Sequence, residues 1–259
     1  MKNKCHQELA KLVATSGLVK FNRDQVSKLI QASIEPDETN KQKIMENIID
    51  ALTIPVEWLV NHTVRAKDLA IRCIWSAYES RRVNDPSWTH YLGWAFHYIA
   101  DWGTPQHSPI SKSNPVPAMT GLGAIIGGVL GGLSKTGKDL GDVLKGIAKG
   151  ALMGAGISGV AGIVGLVIEH NEFEIQCDAR WDNNLNLIKK SFNKIKEQSI
   201  PPKKIGLAFE NLEELLGNLR FECNNLRPDW IFKSSDIDYS NYMANIARIM
   251  SFACQIVVR

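Results

Sequence analysis

An all-α fold is what this sequence predicts, on three observations. Apolar residues recur three and four apart over most of the chain, with charges on the opposite face. No stretch alternates apolar and polar residues with the period of two that marks a half-buried strand. Pro105, Pro201-Pro202 and the turn region from Asn224 to Pro228 punctuate the periodic segments, as helix boundaries should.

Taken in order, the first helix is expected to carry His6. Residues 41–60 (KQKIMENIIDALTIPVEWLV) and 62–82 both place apolar residues at helical spacing. The stretch 88–104 (WTHYLGWAFHYIADWGT) is so aromatic and apolar that it is expected to be a central buried helix. It ends before Pro105, whose ring disfavours helix at the preceding residue. Further helices are expected over 172–197, 203–220 and 236–257.

The middle of the chain differs. Between Gly121 and Gly165 lie 15 of the 20 glycines. An apolar arm (121–133) is followed by a polar patch containing Lys135, Lys138, Asp139, Asp142, Lys145 and Lys149. A second arm, Gly150 to Ile168, holds 19 residues without a charge, just enough to cross a bilayer. Small residues recur four apart at Gly146, Gly150 and Gly154, a spacing that lets helix backbones approach closely. Residues 121–168 therefore read as a glycine-rich helical hairpin, either in contact with a membrane or folded as a buried hairpin or lid. The expected organisation is a helical domain from 1–110 and 170–259, interrupted by a glycine-rich insertion at 111–169.

Composition excludes little. A chain of 259 residues, 44% hydrophobic and 22% charged, has the make-up of an ordinary globular protein. A net charge of +3 without a dense Lys/Arg run argues against duplex nucleic acid as a partner. Five scattered cysteines without a CxxC pair argue against a cysteine zinc ribbon and a disulfide framework; most are expected to be small buried apolar side chains. The apolar stretch Leu12 to Val19 is too short and interrupted for a secretory signal. The expected location is cytoplasmic or peripheral to a membrane.

The histidines carry the chemistry. In 97–107 (HYIADWGTPQH), His97 and Asp101 stand four apart, on one helix face, and His107 follows just past Pro105. His170 and Glu174 form a second such pair. His6, Asp37 in the loop ASIEPDE, and His62 in VNHTV stand earlier in the chain. Imidazole and carboxylate converging from helices and a loop are suitable donors for a divalent metal. Taken singly each residue has a blander reading. Asp37 fits a turn or a helix N-cap, His90 an ordinary partly buried histidine, and Glu172 a solvent-facing residue.

The stretch LGWAFHYIADWGTPQHS resembles the zinc-dependent phospholipase C family, whose hallmark reads His-Tyr-x-x-Asp-x-x-x-Pro-x-His, followed downstream by His-x-x-x-Glu. The resemblance extends backwards to a histidine on the first helix (His6), an aspartate preceded by proline (Pro36-Asp37) and a further histidine (His62). It implies a multi-helix bundle of the phospholipase C/P1 nuclease kind holding two or three Zn2+ ions. His62, His97, Asp101 and Asp37 would hold one, and His107, His170 and Glu174 a second. His6, with Asp101 bridging, would hold the third. The chain departs from the pattern there, beginning Met1-Lys2 where family members use an N-terminal Trp.

The activity so implied is cleavage of phosphodiester bonds, foremost phospholipid headgroups, by in-line attack of a metal-bound hydroxide. Asp37 and Asp101 would be the catalytic carboxylates, Asp37 orienting or deprotonating the attacking water. Single-strand nuclease activity on the same scaffold is the alternative within this chemistry. Membrane perturbation by the glycine-rich hairpin is the alternative outside it.

Overall fold

The computed structural model describes residues 3–37, 62, 65–105, 156–198, 200–226 and 230–259; for 156–174 it describes the backbone alone. Among these residues every regular element is a helix, in agreement with the expected all-α class. The helices are α1 (Asn3–Ala14), α2 (Arg23–Ala32), α3 (Ala66–Arg82), α4 (Trp88–Trp102), α5 (Gly156–Ile195), α6 (Ile205–Asn225), α7 (Trp230–Lys233) and α8 (Asp236–Val257). The expected helix 41–60 and the hairpin residues 121–155 lie outside the described residues.

α4 sits at the centre, touching α1, α2, α3, α6 and α8. Its buried residues, from Trp88 to Asp101, surround the helix almost completely, as its composition predicts. α3 packs along it through Ala66, Ala70, Ile74 and Ala77, a stripe of mostly small side chains that permits close approach. α8 is the second buried helix and touches α1, α3, α4, α5 and α6. Ser235 caps it, its hydroxyl accepting from the Asp238 N–H at 3.0 Å, and Asp236 and Asp238 place negative charge at the positive helix end.

α2 carries a capping box that the periodicity reading passes over. Asn22 Oδ1 accepts from the Gln25 N–H, and Gln25 Oε1 accepts from the Asn22 N–H, each at 2.9 Å. α5 is one continuous helix of 40 residues, joining the end of the uncharged arm to the segment expected from 172 onward. Arg180 fastens α5 to the α7–α8 corner: it donates to Ile231 O at 2.9 Å, Ser234 Oγ at 2.7 Å and Asp236 Oδ1 at 2.9 Å. The five cysteines are all free thiols, four of them buried, as expected for small apolar side chains. Among the described residues no helix is long and apolar enough to cross a membrane.

Gly93 decides how closely α2 approaches α4. A Cβ built there would lie 2.5 Å from Ala32 Cβ and 2.7 Å from the Leu29 carbonyl oxygen. The second contact is backbone, which cannot rotate aside. Gly93→Ala is therefore expected to destabilise the fold by about 1–3 kcal/mol as α2 is forced away. Denaturant unfolding measures this; a midpoint equal to that of the unsubstituted protein would refute the close packing.

Candidate metal centre

Five of the expected ligands meet at the face of α4 that looks toward α1 and α2. α1 brings His6, the turn after α2 brings Asp37, and α4 brings His97 and Asp101; His62 joins them from beyond α2. All five are buried. Four are at most 1% exposed, and Asp37, at 8%, is the least buried of the five.

On α4 the i,i+4 spacing puts His97 Nε2 3.0 Å from Asp101 Oδ2. His62 Nδ1 is 3.1 Å from His97 Nε2 and bonds to Asp101 Oδ2. His62 Nε2 and His97 Nε2 each lie 3.8 Å from Asp37 Oδ1. His6 stacks on the His97 ring with centroids 4.4 Å apart, its Nε2 3.5 Å from Asp101 Oδ1. The two oxygens of Asp101 thus face different histidines, an arrangement suited to a bridging carboxylate.

The ring of His97 is oriented from behind. Its Nδ1 lies 3.0 Å from the Ser33 carbonyl oxygen, which can only accept, so Nδ1 carries a proton. Nε2 is left turned into the cluster. A backbone carbonyl holding the far nitrogen is the usual outer partner of a metal-binding histidine. Sequence reasoning missed Ser33, because the group used is its carbonyl and no side-chain pattern announces it.

The donor set fits a metal ion. His97 Nε2, His62 Nδ1 and Asp101 Oδ2 lie within 3.1 Å of one another. For bonds of about 2.1 Å, a tetrahedral site spaces its donors about 3.4 Å apart. The two distances from His97 Nε2, 3.1 Å to His62 Nδ1 and 3.0 Å to Asp101 Oδ2, come near this, while the His62–Asp101 contact is closer. A proton can join two of these atoms; a metal ion joins all three. Both ring nitrogens of His6 are buried, and among the described residues neither has a hydrogen-bond partner at full strength; Nε2 has only the long 3.5 Å approach to Asp101 Oδ1. A buried polar nitrogen left in that state is costly, and a cation between Nε2 and the carboxylates would remove that cost. The donors form two overlapping groups that share His97: His6, Asp37 and His97, and His62, His97 and Asp101. His6 thus stands beside Asp37 and His97 as well as Asp101.

Electrostatics follow from burial and charge. Burial, and then the charge of His97, lowers the His6 pKa from 6.5 to about 4. For His97 burial also opposes the charged form, but Asp101 and Asp37 outweigh it and the pKa is raised. Burial disfavours the Asp37 carboxylate, yet His97 and His62 hold its pKa below the ordinary value. Asp37 is thus ionised at neutral pH.

The remaining expected ligands are placed as follows. His107 lies outside the described residues. The backbones of His170 and Glu174 belong to α5, which packs against α1; their side chains, and that of Glu172, lie outside the described residues. His90 is partly buried, as expected, and pairs with Glu35 rather than with the cluster. Comparison with family models, with curated proteins and with solved structures finds no match to this chain.

Proposed function

We propose that the protein is a zinc-dependent phosphodiester hydrolase of the phospholipase C type. The observation that carries this reading is the convergence of His6, Asp37, His62, His97 and Asp101 into one buried cluster. Histidine nitrogen with carboxylate oxygen, and no thiolate, is a donor set suited to catalytic zinc. When bound, such ions supply Lewis acidity toward a phosphoryl oxygen and lower the pKa of a coordinated water.

The chain's own residues provide the rest. Asp101 offers an oxygen to each side of the cluster and so holds its two halves in register. Ser33 fixes the ring of His97. Asp37, ionised and the least buried of the five, is the group suited to accept a hydrogen bond from an incoming water and to orient it. The lipid branch is favoured by the Pro36-Asp37 dipeptide and by Glu174, where related single-strand nucleases tend to carry Asp. His107, His170 and Glu174 are proposed to complete a second ion.

The test uses the purified chain with Zn2+, offered phosphatidylcholine vesicles and single-stranded DNA in parallel. Release of phosphocholine, abolished by a chelator, is the expected result. Cleavage of DNA alone would transfer the activity to the nuclease branch. Inertness toward both, in zinc-loaded protein, would remove the hydrolase reading.

A further inference from the structure

We infer that Glu35 is a positioning residue of the metal centre, clamping the turn that carries Asp37 onto α4; the inference rests on the metal-centre reading and deepens it. Residues 35–37 form a single helical turn, with the Asp37 N–H bonded to Ile34 O at 3.2 Å. Glu35 reaches the N-terminal part of α4, ahead of the ligands His97 and Asp101. Its Oε2 accepts from Trp94 Nε1 at 3.0 Å and lies 3.0 Å from His90 Nε2. The His90 and Trp94 rings pack together with centroids 4.6 Å apart.

His90, Trp94, His97 and Asp101 stand at i, i+4, i+7 and i+11 on α4, so they share one stripe. The chain segment 33–37 meets that stripe three times. Ser33 O bonds His97 at 3.0 Å, Glu35 takes Trp94 and His90, and Asp37 faces His97 at 3.8 Å. Between the last two lies Pro36, whose ring fixes φ and so stiffens the link from Glu35 to Asp37. Without the Glu35 bond, the turn would lose one of the three points at which it meets this stripe, and Asp37 would be less firmly placed. Ligating carboxylates are commonly held by such outer partners, and their loss typically costs 10–100-fold in metal affinity.

Metal binding itself is the readout. Zn2+ affinity is measured by competition with a chromogenic chelator, and donor geometry by the visible absorption of the Co2+-loaded protein. Glu35→Ala should weaken Zn2+ binding by about 10–100-fold and shift the Co2+ spectrum. Trp94→Phe keeps an aromatic ring against His90 but removes the N–H, and should do the same. Glu35→Gln retains an oxygen that accepts from Trp94 Nε1 and should keep both affinity and spectrum near those of the unsubstituted protein. Trp94→Phe, with Glu35 intact, separates the lost hydrogen bond from the lost bulk of Glu35→Ala. If Glu35→Ala does not fold, Trp94→Phe against Glu35→Gln carries the comparison. Unchanged affinity and spectrum in Trp94→Phe and in any folded Glu35→Ala would overturn the positioning role while leaving the metal centre standing. Failure of the unsubstituted protein to bind Zn2+ or Co2+ would remove the centre, and the inference with it.

Discussion

Asp101→Asn is expected to lose metal and turnover together while keeping the helical fold. Asp101 Oδ2 contacts both His62 and His97, and Oδ1 lies 3.5 Å from His6. Asparagine matches its shape, so packing around α4 is preserved. It removes the negative charge, however, and replaces one oxygen with an NH2 group that has no lone pair for a metal. Loss of an outer partner of a metal ligand typically costs 10–100-fold in affinity, so loss of a bridging ligand should cost more than about a hundredfold. Circular dichroism checks the fold, metal analysis the occupancy, and the vesicle assay the turnover. Wild-type metal content with wild-type turnover would sink the site.

The second large effect is a metal-linked dependence of stability on pH. Free metal at about a thousand times its Kd adds about 4 kcal/mol to the folded state, or roughly 10 °C in melting temperature for a chain of this size. Binding requires deprotonated imidazoles. His97 has a raised pKa in the metal-free protein, so acidification protonates it early and metal is lost. The gap between metal-loaded and chelated melting temperatures should therefore close as pH falls through the raised His97 value.

The chelated protein has its own profile. The raised pKa of His97 contributes stability that is complete below the unfolded value of 6.5 and lost as pH rises through the folded value. His6 acts in the opposite sense. Unfolded, it takes a proton near pH 6.5, but burial keeps it neutral in the fold until about 4. Stability falls across that interval, by about 3 kcal/mol in total. The lowered pKa of Asp37 adds stability above the ordinary carboxylate value, lost as pH falls through its folded value. Thermal melts with and without chelator, from about pH 8 to about pH 5, measure the gap. A constant gap would mean that the histidines do not hold the metal.

How much of this could be read from the chain depended on how local each signal is. The helices α3, α4, α6 and α8 follow from apolar spacing, which reports a buried stripe within one element. α2 was missed because its apolar stripe is short, although the Asn22–Gln25 capping box marks its start. α5 was divided because the uncharged arm gives way to charge at Glu169. Polarity changes along a helix do not interrupt its backbone bonds, so Gly156–Ile195 runs through.

The candidate site divides the same way. His97 and Asp101 share a helix face, and their meeting follows from 3.6 residues per turn alone. The sequence by itself also supplied the donor types, nitrogen and carboxylate without thiolate, and so the class of metal they suit. Only the tertiary structure decided that His6 stacks on His97, that His62 reaches Asp101, that Ser33 offers its carbonyl and that Glu35 grips Trp94. Those meetings join residues far apart in the chain. They depend on how α1 and α2 dock on α4, which is set by packing such as the close contact at Gly93, and no local periodicity encodes that.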